Sequence, residues 1–145
     1  MIIVEHDVRN KMIADAESSF PDECCGFVFG YENGEKRFLT EVLIVNNVKE
    51  GDKRRRFEIA PKDYMWAEQY ADEHQLQLLG VYHSHPNHPA VPSEHDRIAA
   101  QPFFSYIILS VLNGSISHMR SWQLNEALQF EEETLQYPLI NNQIK

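Results

Sequence analysis

Apolar residues recur along this chain at two spacings, and the switch between them predicts strands interspersed with helices. Val8, Met12, Ile13 and Ala16 return at three- and four-residue intervals behind Asp7, which stands where an N-cap would, so a helix is expected over roughly 8–19. Ile2 to Val4 forms a short strand candidate ahead of it. Phe20-Pro21-Asp22 breaks the helix, and the apolar run from Cys24 to Tyr31 suggests a buried strand. Asn33-Gly34 then supplies a hairpin turn, because both central residues of that turn need positive φ, and Arg37 to Val45 is the return strand.

After the polar segment Asn46 to Arg55, Phe57 to Ile59 has the pattern of another short strand. Ala60-Pro61 opens a second helix running to about Gln75, with Tyr64, Ala67 and Ala71 on one face. Leu78 to Tyr82 is an apolar strand that ends at His83, and the prolines from Pro86 to Pro92 impose a loop. Ser93 is placed to cap a short helix from Glu94 to Ala100. Tyr106 to Leu112 and Ile116 to Trp122 flank a second Asn-Gly turn at Asn113-Gly114, and a last strand includes Leu128 and Phe130. Trp66, Trp122, Phe103 and Phe104 are assigned to the interior. The expected class is α/β, a mixed β-sheet flanked by helices. A single domain is expected over residues 1–136, with 137–145 as a C-terminal tail or docking arm.

Composition narrows the functions available. Thirteen basic against 22 acidic side chains leave a net charge of -9, which argues against non-specific binding to nucleic acid or to an anionic membrane. Lys53-Arg54-Arg55-Arg56 is the local exception, either a solvated segment or a patch for an acidic partner. The adjacent Cys24 and Cys25 do not make the spaced framework of a small secreted domain, and they are expected to serve as small packing residues in a reducing, cytoplasmic setting. The N-terminal apolar stretch is too short for a signal peptide, and no run has the length of a membrane span.

The histidines bring in chemistry. In extended chain, residues two apart share a side, so His83 and His85 offer both imidazoles to one ion while Ser84 points away. Asp96, separated from His85 by ten residues and placed in the first turn of the next helix, completes a three-ligand set that leaves a fourth position for water. That is the catalytic pattern for zinc, whereas structural zinc usually takes four protein ligands and is rich in cysteine. His88 and His95 share the loop but are expected to be exposed or peripheral, and His6, His74 and His118 are ordinary surface or packed histidines.

Glu23 in PDECCGFVFG, followed by HSHPNHPAVPSEHD, resembles the signature of the JAMM (MPN+) metallopeptidases. The resemblance covers the motif and the order of elements through most of the chain, and every motif position is filled. It implies a cytidine-deaminase-like fold, His83, His85 and Asp96 as ligands of one zinc per chain, Glu23 as general acid/base and Ser93 as a hydrogen-bond donor to the oxyanion. It also implies hydrolysis of peptide or isopeptide bonds at the C-termini of ubiquitin-like proteins. The compact chain leaves little room after Asp96 for the insertions of polyubiquitin-cleaving members, which favours a bacterial-type enzyme acting on the C-terminal tail of a sulfur-carrier protein. A deubiquitinase-like isopeptidase, a small-peptide hydrolase and a non-catalytic interaction module remain alternatives. A zinc deaminase would need two cysteines separated by two residues, which Cys24-Cys25 does not supply.

Overall fold

The two apolar spacings become strands and helices in chain order: β1 (Ile2–Val4), α1 (His6–Ser19), β2 (Cys25–Asn33), β3 (Lys36–Val45), α2 (Pro61–Glu73), β4 (Gln77–Pro86), α3 (Glu94–Ala99), β5 (Ser105–Leu112), β6 (Ser115–Leu124), β7 (Phe130–Glu133) and β8 (Leu135–Gln136). These come from a computed structural model that describes residues 1–138. The strands form one mixed sheet in the order β7-β6-β5-β4-β2-β3-β1-β8. β4 and β5 run parallel with α3 in their connection, and β1 is parallel to both of its neighbours. The other pairs are antiparallel.

Helices cover both faces. Val8, Met12 and Ala16 of α1 pack with Val28 and Tyr82 on one face, while Ala67 and Ala71 of α2 pack with Phe27, Phe29 and Val81 on the other. Residues of β2 therefore alternate between two apolar layers, which is why the run reads as continuously apolar. Full burial of a side chain such as Met12 or Phe27 contributes about 2 kcal/mol. At Gly80 even a Cβ would run into the Ser105 carbonyl, so β4 and β5 approach closely just before the histidines.

Several boundaries differ from the sequence pattern, each for a local reason. Helix α1 starts at His6 with Glu5 in the N-cap position and no side-chain cap, and Asp7 lies in the first turn, where its charge meets the positive end of the helix. Phe57 to Ile59 is not a strand. Asn47 holds that segment instead, its Oδ1 accepting the Glu58 backbone N–H at 3.1 Å, while the Val48 N–H donates to the Glu58 carbonyl at 2.9 Å. β4 continues past His83 to Pro86, because a proline that lacks an N–H is tolerated at a strand end. Leu128 sits in a turn with φ 59°, and β7 starts at Phe130. Trp66 is 48% exposed, since α2 turns the small Ala67 and Ala71 to the sheet and leaves the indole beside Tyr70. Phe104 is buried, whereas Phe103 is half exposed.

The chain stays within the one sheet up to Gln136. Of the expected tail, Tyr137 stacks near His6, and residues 139–145 lie outside the described residues. Among the described residues no helix is long and apolar enough to cross a membrane.

Candidate active site

Strand pairing sets the first two side chains of the site. His83 lies between Cys25 of β2 and Ile108 of β5, and His85 lies beside Ser110 of β5. Both are buried and project to the α2 face, as their two-residue spacing demands. Ser84 points to the opposite face, where its Oγ accepts the Cys24 backbone N–H at 2.8 Å and its own N–H donates to the Cys24 carbonyl at 3.3 Å. This pair of bonds ties the residue next to Glu23 to the histidine strand.

Asp96 arrives through a helix-capping device. Ser93 Oγ accepts the Asp96 backbone N–H at 3.0 Å, and Asp96 Oδ2 accepts the Ser93 N–H at 2.9 Å, a reciprocal capping box at the start of α3. The same Oδ2 lies 3.4 Å from His83 Nε2 and 3.3 Å from His85 Nε2, and the two Nε2 atoms are 3.1 Å apart. His85 Nδ1 donates to the Pro89 carbonyl at 2.9 Å, which leaves its Nε2 lone pair facing the other two atoms. The His83 ring stacks on Phe57 with centroids 4.5 Å apart, and its buried Nδ1 has no hydrogen-bond partner among the described residues.

Three donor atoms at 3.1, 3.3 and 3.4 Å from one another fit a single small cation. Tetrahedral coordination with ligand distances near 2.05 Å places ligand atoms about 3.3 Å apart. His83, His85 and Asp96 form the group among the described residues that could hold a metal ion. Two nitrogens and a carboxylate oxygen suit zinc. Burial lowers the His83 pKa, which favours the neutral ligand form. Burial pulls His85 the same way, but its bonds to Asp96 and Pro89 prevail and raise it. Burial works against ionisation of Asp96, yet the two histidines and the Ser93 N–H hold its carboxyl far below the usual range.

Glu23 stands at the foot of β2, 5% exposed. Its backbone is latched to the 46–59 connection: the Glu23 N–H donates to the Lys53 carbonyl at 2.7 Å, and the Asn47 amide donates to the Glu23 carbonyl at 3.0 Å. Burial pushes the Glu23 carboxyl up to about 8, with His85 and Arg56 pulling it down and Asp96 adding to the rise. Ser93 uses an acceptor lone pair in the capping box, so its hydroxyl hydrogen remains free to donate.

Two cavities flank these side chains. One, about 300 Å³, has His83 and Asp96 on its wall among Phe57, Ile59, Tyr64 and Tyr106. The other, about 500 Å³, is lined by Glu23, His85 and Ser93 together with Arg54, Arg55 and Arg56.

Supporting residues were harder to find from sequence. Alternation sets the direction of Ser84 but says nothing of its bonds, Phe57 has only the pattern of a strand, and Asn47 carries no local signal. The proline-rich loop is held by the chain itself: the Ala90 N–H donates to His118 Nε2 at 3.0 Å, Trp122 Nε1 donates to the Ala90 carbonyl at 2.9 Å, and Ser110 Oγ donates to the His88 carbonyl at 2.6 Å. His88 and His95 are exposed and stay outside the convergent set. Cys24 and Cys25 are buried in opposite apolar layers, and burial pushes both thiols up, Cys25 to about 12, so they pack as thiols and not as thiolates.

Comparison with known proteins points the same way as the geometry. A desampylase from Pyrococcus furiosus is 28% identical over 132 residues, covering 91% of this chain and 86% of that protein. A CysO-cysteine peptidase from Mycobacterium tuberculosis is 26% identical over 134 residues, covering 91% and 88%. The solution structure of protein DSY2949 from Desulfitobacterium hafniense superposes with a TM-score of 0.84 at 27% identity, covering 97% of this chain and 94% of that one. Residues 5–125 match the family described as prokaryotic homologs of the JAB domain, and the chain therefore belongs to that family, within the JAMM proteins.

Proposed function

We propose that the chain is a zinc-dependent peptidase that hydrolyses an amide bond at the C-terminus of a ubiquitin-like sulfur-carrier protein, with residues 1–136 as one catalytic domain working in the cytoplasm. The observation that carries this reading is the convergence of His83 Nε2, His85 Nε2 and Asp96 Oδ2 beside the buried carboxyl of Glu23. Three similar proteins support the substrate class, one named as a CysO-cysteine peptidase and two as desampylases.

His83, His85 and Asp96 would hold one zinc. When bound, zinc supplies Lewis-acid polarisation of the scissile carbonyl and lowers the pKa of water towards neutrality. Glu23 accepts the proton of the attacking water and returns it to the departing nitrogen. Burial chiefly raises this carboxyl, and the positive charge of a bound zinc would pull it back down, so that the group could lose and regain a proton near neutral pH. The Ser93 hydroxyl donates to the oxygen on which negative charge develops, a role its cap leaves open. The buried setting of His83 and Glu23 limits competing water at the reacting atoms.

The test is incubation of the zinc-loaded protein with a sulfur carrier extended beyond its C-terminal glycine, beside di-ubiquitin, with products weighed by mass spectrometry. Release of the extension supports the proposal. Cleavage of di-ubiquitin alone would establish the deubiquitinase-like alternative, and a protein that holds no stoichiometric zinc and cuts neither would be an interaction module.

A further inference from the structure

The two sides of the proposed scissile bond meet different chemistry. The cavity beside His83 is walled by Phe57, Ile59, Tyr64 and Tyr106. The cavity beside Glu23 is walled by three consecutive arginines, in a chain whose net charge is -9. Their position relative to Glu23 is built in. The Lys53 carbonyl, one residue before the arginines, accepts the Glu23 N–H at 2.7 Å, and the Asn47 amide bonds both the Glu23 carbonyl at 3.0 Å and the Arg56 carbonyl at 3.1 Å.

The arginines are also available. Arg55 has only a loose contact with exposed Asp52 at 3.9 Å, Arg56 donates to the neighbouring Arg55 carbonyl, and the Arg54 guanidinium has no partner among the described residues. Among the described residues Asp52 is the acidic side chain that pairs with the run; Asp22 and Glu50 share a neighbouring depression with Arg54, and the Glu23 carboxyl shares this cavity with Arg56, so the positive charge along this wall is only partly offset.

On the function proposed above, Glu23 delivers the proton to the leaving nitrogen, so the leaving group departs on the arginine side. If that group is an α-amino acid, its carboxylate is two bonds from the nitrogen and enters the same cavity; the ε-amine of a protein lysine brings no such charge. We propose that Arg54 and Arg56 recognise a free carboxylate on the leaving group, which makes the preferred substrate a carrier tail extended by an α-linked amino acid or short peptide with a free C-terminus. Guanidinium groups suit this task because their planar donors match a carboxylate. This inference rests on the peptidase reading, and it assigns the basic run a role in selecting substrates and none in the chemical step.

The experiment compares two semisynthetic substrates, a ubiquitin-like sulfur carrier extended by one residue after its C-terminal glycine, ending either in a free carboxylate or in a carboxamide. The zinc-loaded wild-type protein is expected to favour the free acid at least tenfold in kcat/KM, and raising NaCl from 50 to 500 mM should shrink that ratio. Arg54→Ala/Arg56→Ala should bring the ratio to within about twofold of unity, while Arg54→Lys/Arg56→Lys keeps part of it. Circular dichroism and zinc content verify that each variant is folded. Equal turnover of the two substrates by the wild type, or an unchanged ratio in the alanine variant, would overturn the proposal. A parallel fall on both substrates would also overturn it, pointing to an acidic surface of the carrier as what the arginines meet. Binding of both carriers to zinc-loaded Glu23→Gln protein, read by fluorescence anisotropy, separates this inference from the peptidase reading: an acid preference that depends on the arginines supports it even where nothing is cut, and its absence sinks it.

Discussion

One wall of the site is a strand paired on both edges, whereas the facing wall, the 46–59 connection, is irregular chain. His83 and His85 take their direction from the β2 and β5 ladders, and the apolar layers on the two faces of the sheet resist any twist of β4. The connection places Glu23, Phe57 and the arginines through a few hydrogen bonds, those of Asn47 within the connection and the two that reach Glu23 from Asn47 and the Lys53 carbonyl. The contrast suggests a division of labour in which the ligands rest on the rigid part of the fold and the substrate-facing groups on chain that tolerates change.

Breaking the rigid wall should have the largest effect. His85→Ala removes one of three donor atoms, and the expected outcome is loss of stoichiometric zinc with turnover down at least a thousandfold, measured by metal analysis and by the carrier assay. Retention of full zinc content by this variant would show that the three side chains are not the ligand set.

Glu23 offers a test through pH. In the metal-free protein its folded pKa of about 8 lies above the ordinary 4.5, so its contribution is fully present below about pH 4.5 and is lost as pH rises through 8. The metal-free Glu23→Gln protein does not titrate there. Its stability relative to wild type should therefore rise across that window by on the order of a few kcal/mol. Denaturant melts at pH 4.5, 6 and 8 measure this, and parallel pH curves for the two proteins would contradict the burial account of Glu23.

Ser84→Ala tests the tie between the two walls. It leaves the buried Cys24 N–H without its side-chain acceptor, a cost of about 1–3 kcal/mol in urea unfolding, and turnover should fall while zinc stays bound. Asn47→Ala loosens the irregular wall alone and should have the smallest effect, about 1 kcal/mol in stability with zinc content unchanged. A larger stability loss for Asn47→Ala than for Ser84→Ala would reverse the proposed ranking of the walls.

The same contrast governs what was legible in the sequence. β2, β4 and β5 carry period-two or continuous apolar runs, and the Asn113-Gly114 turn announces its positive φ, so sheet, helices and histidine direction follow from local pattern. The nearness of Asp96 to the histidines was legible from spacing, but the reciprocal Ser93 N–H bond that aims Oδ2 depends on the cap geometry. Asn47, Phe57 and Ser84 were not legible as site residues. Asn47 reaches Glu23 across 24 positions and Ser84 reaches Cys24 across 60, and no local window contains both partners.

The central claim is that Glu23 moves the proton at a metal held by His83, His85 and Asp96. Its most direct test is a paired measurement on zinc-loaded wild-type and Glu23→Gln proteins, zinc content on one axis and hydrolysis of the extended carrier on the other. The account predicts one zinc per chain in both and turnover lower by about 10²–10⁴-fold in the variant. Near-normal turnover by zinc-loaded Glu23→Gln would contradict it.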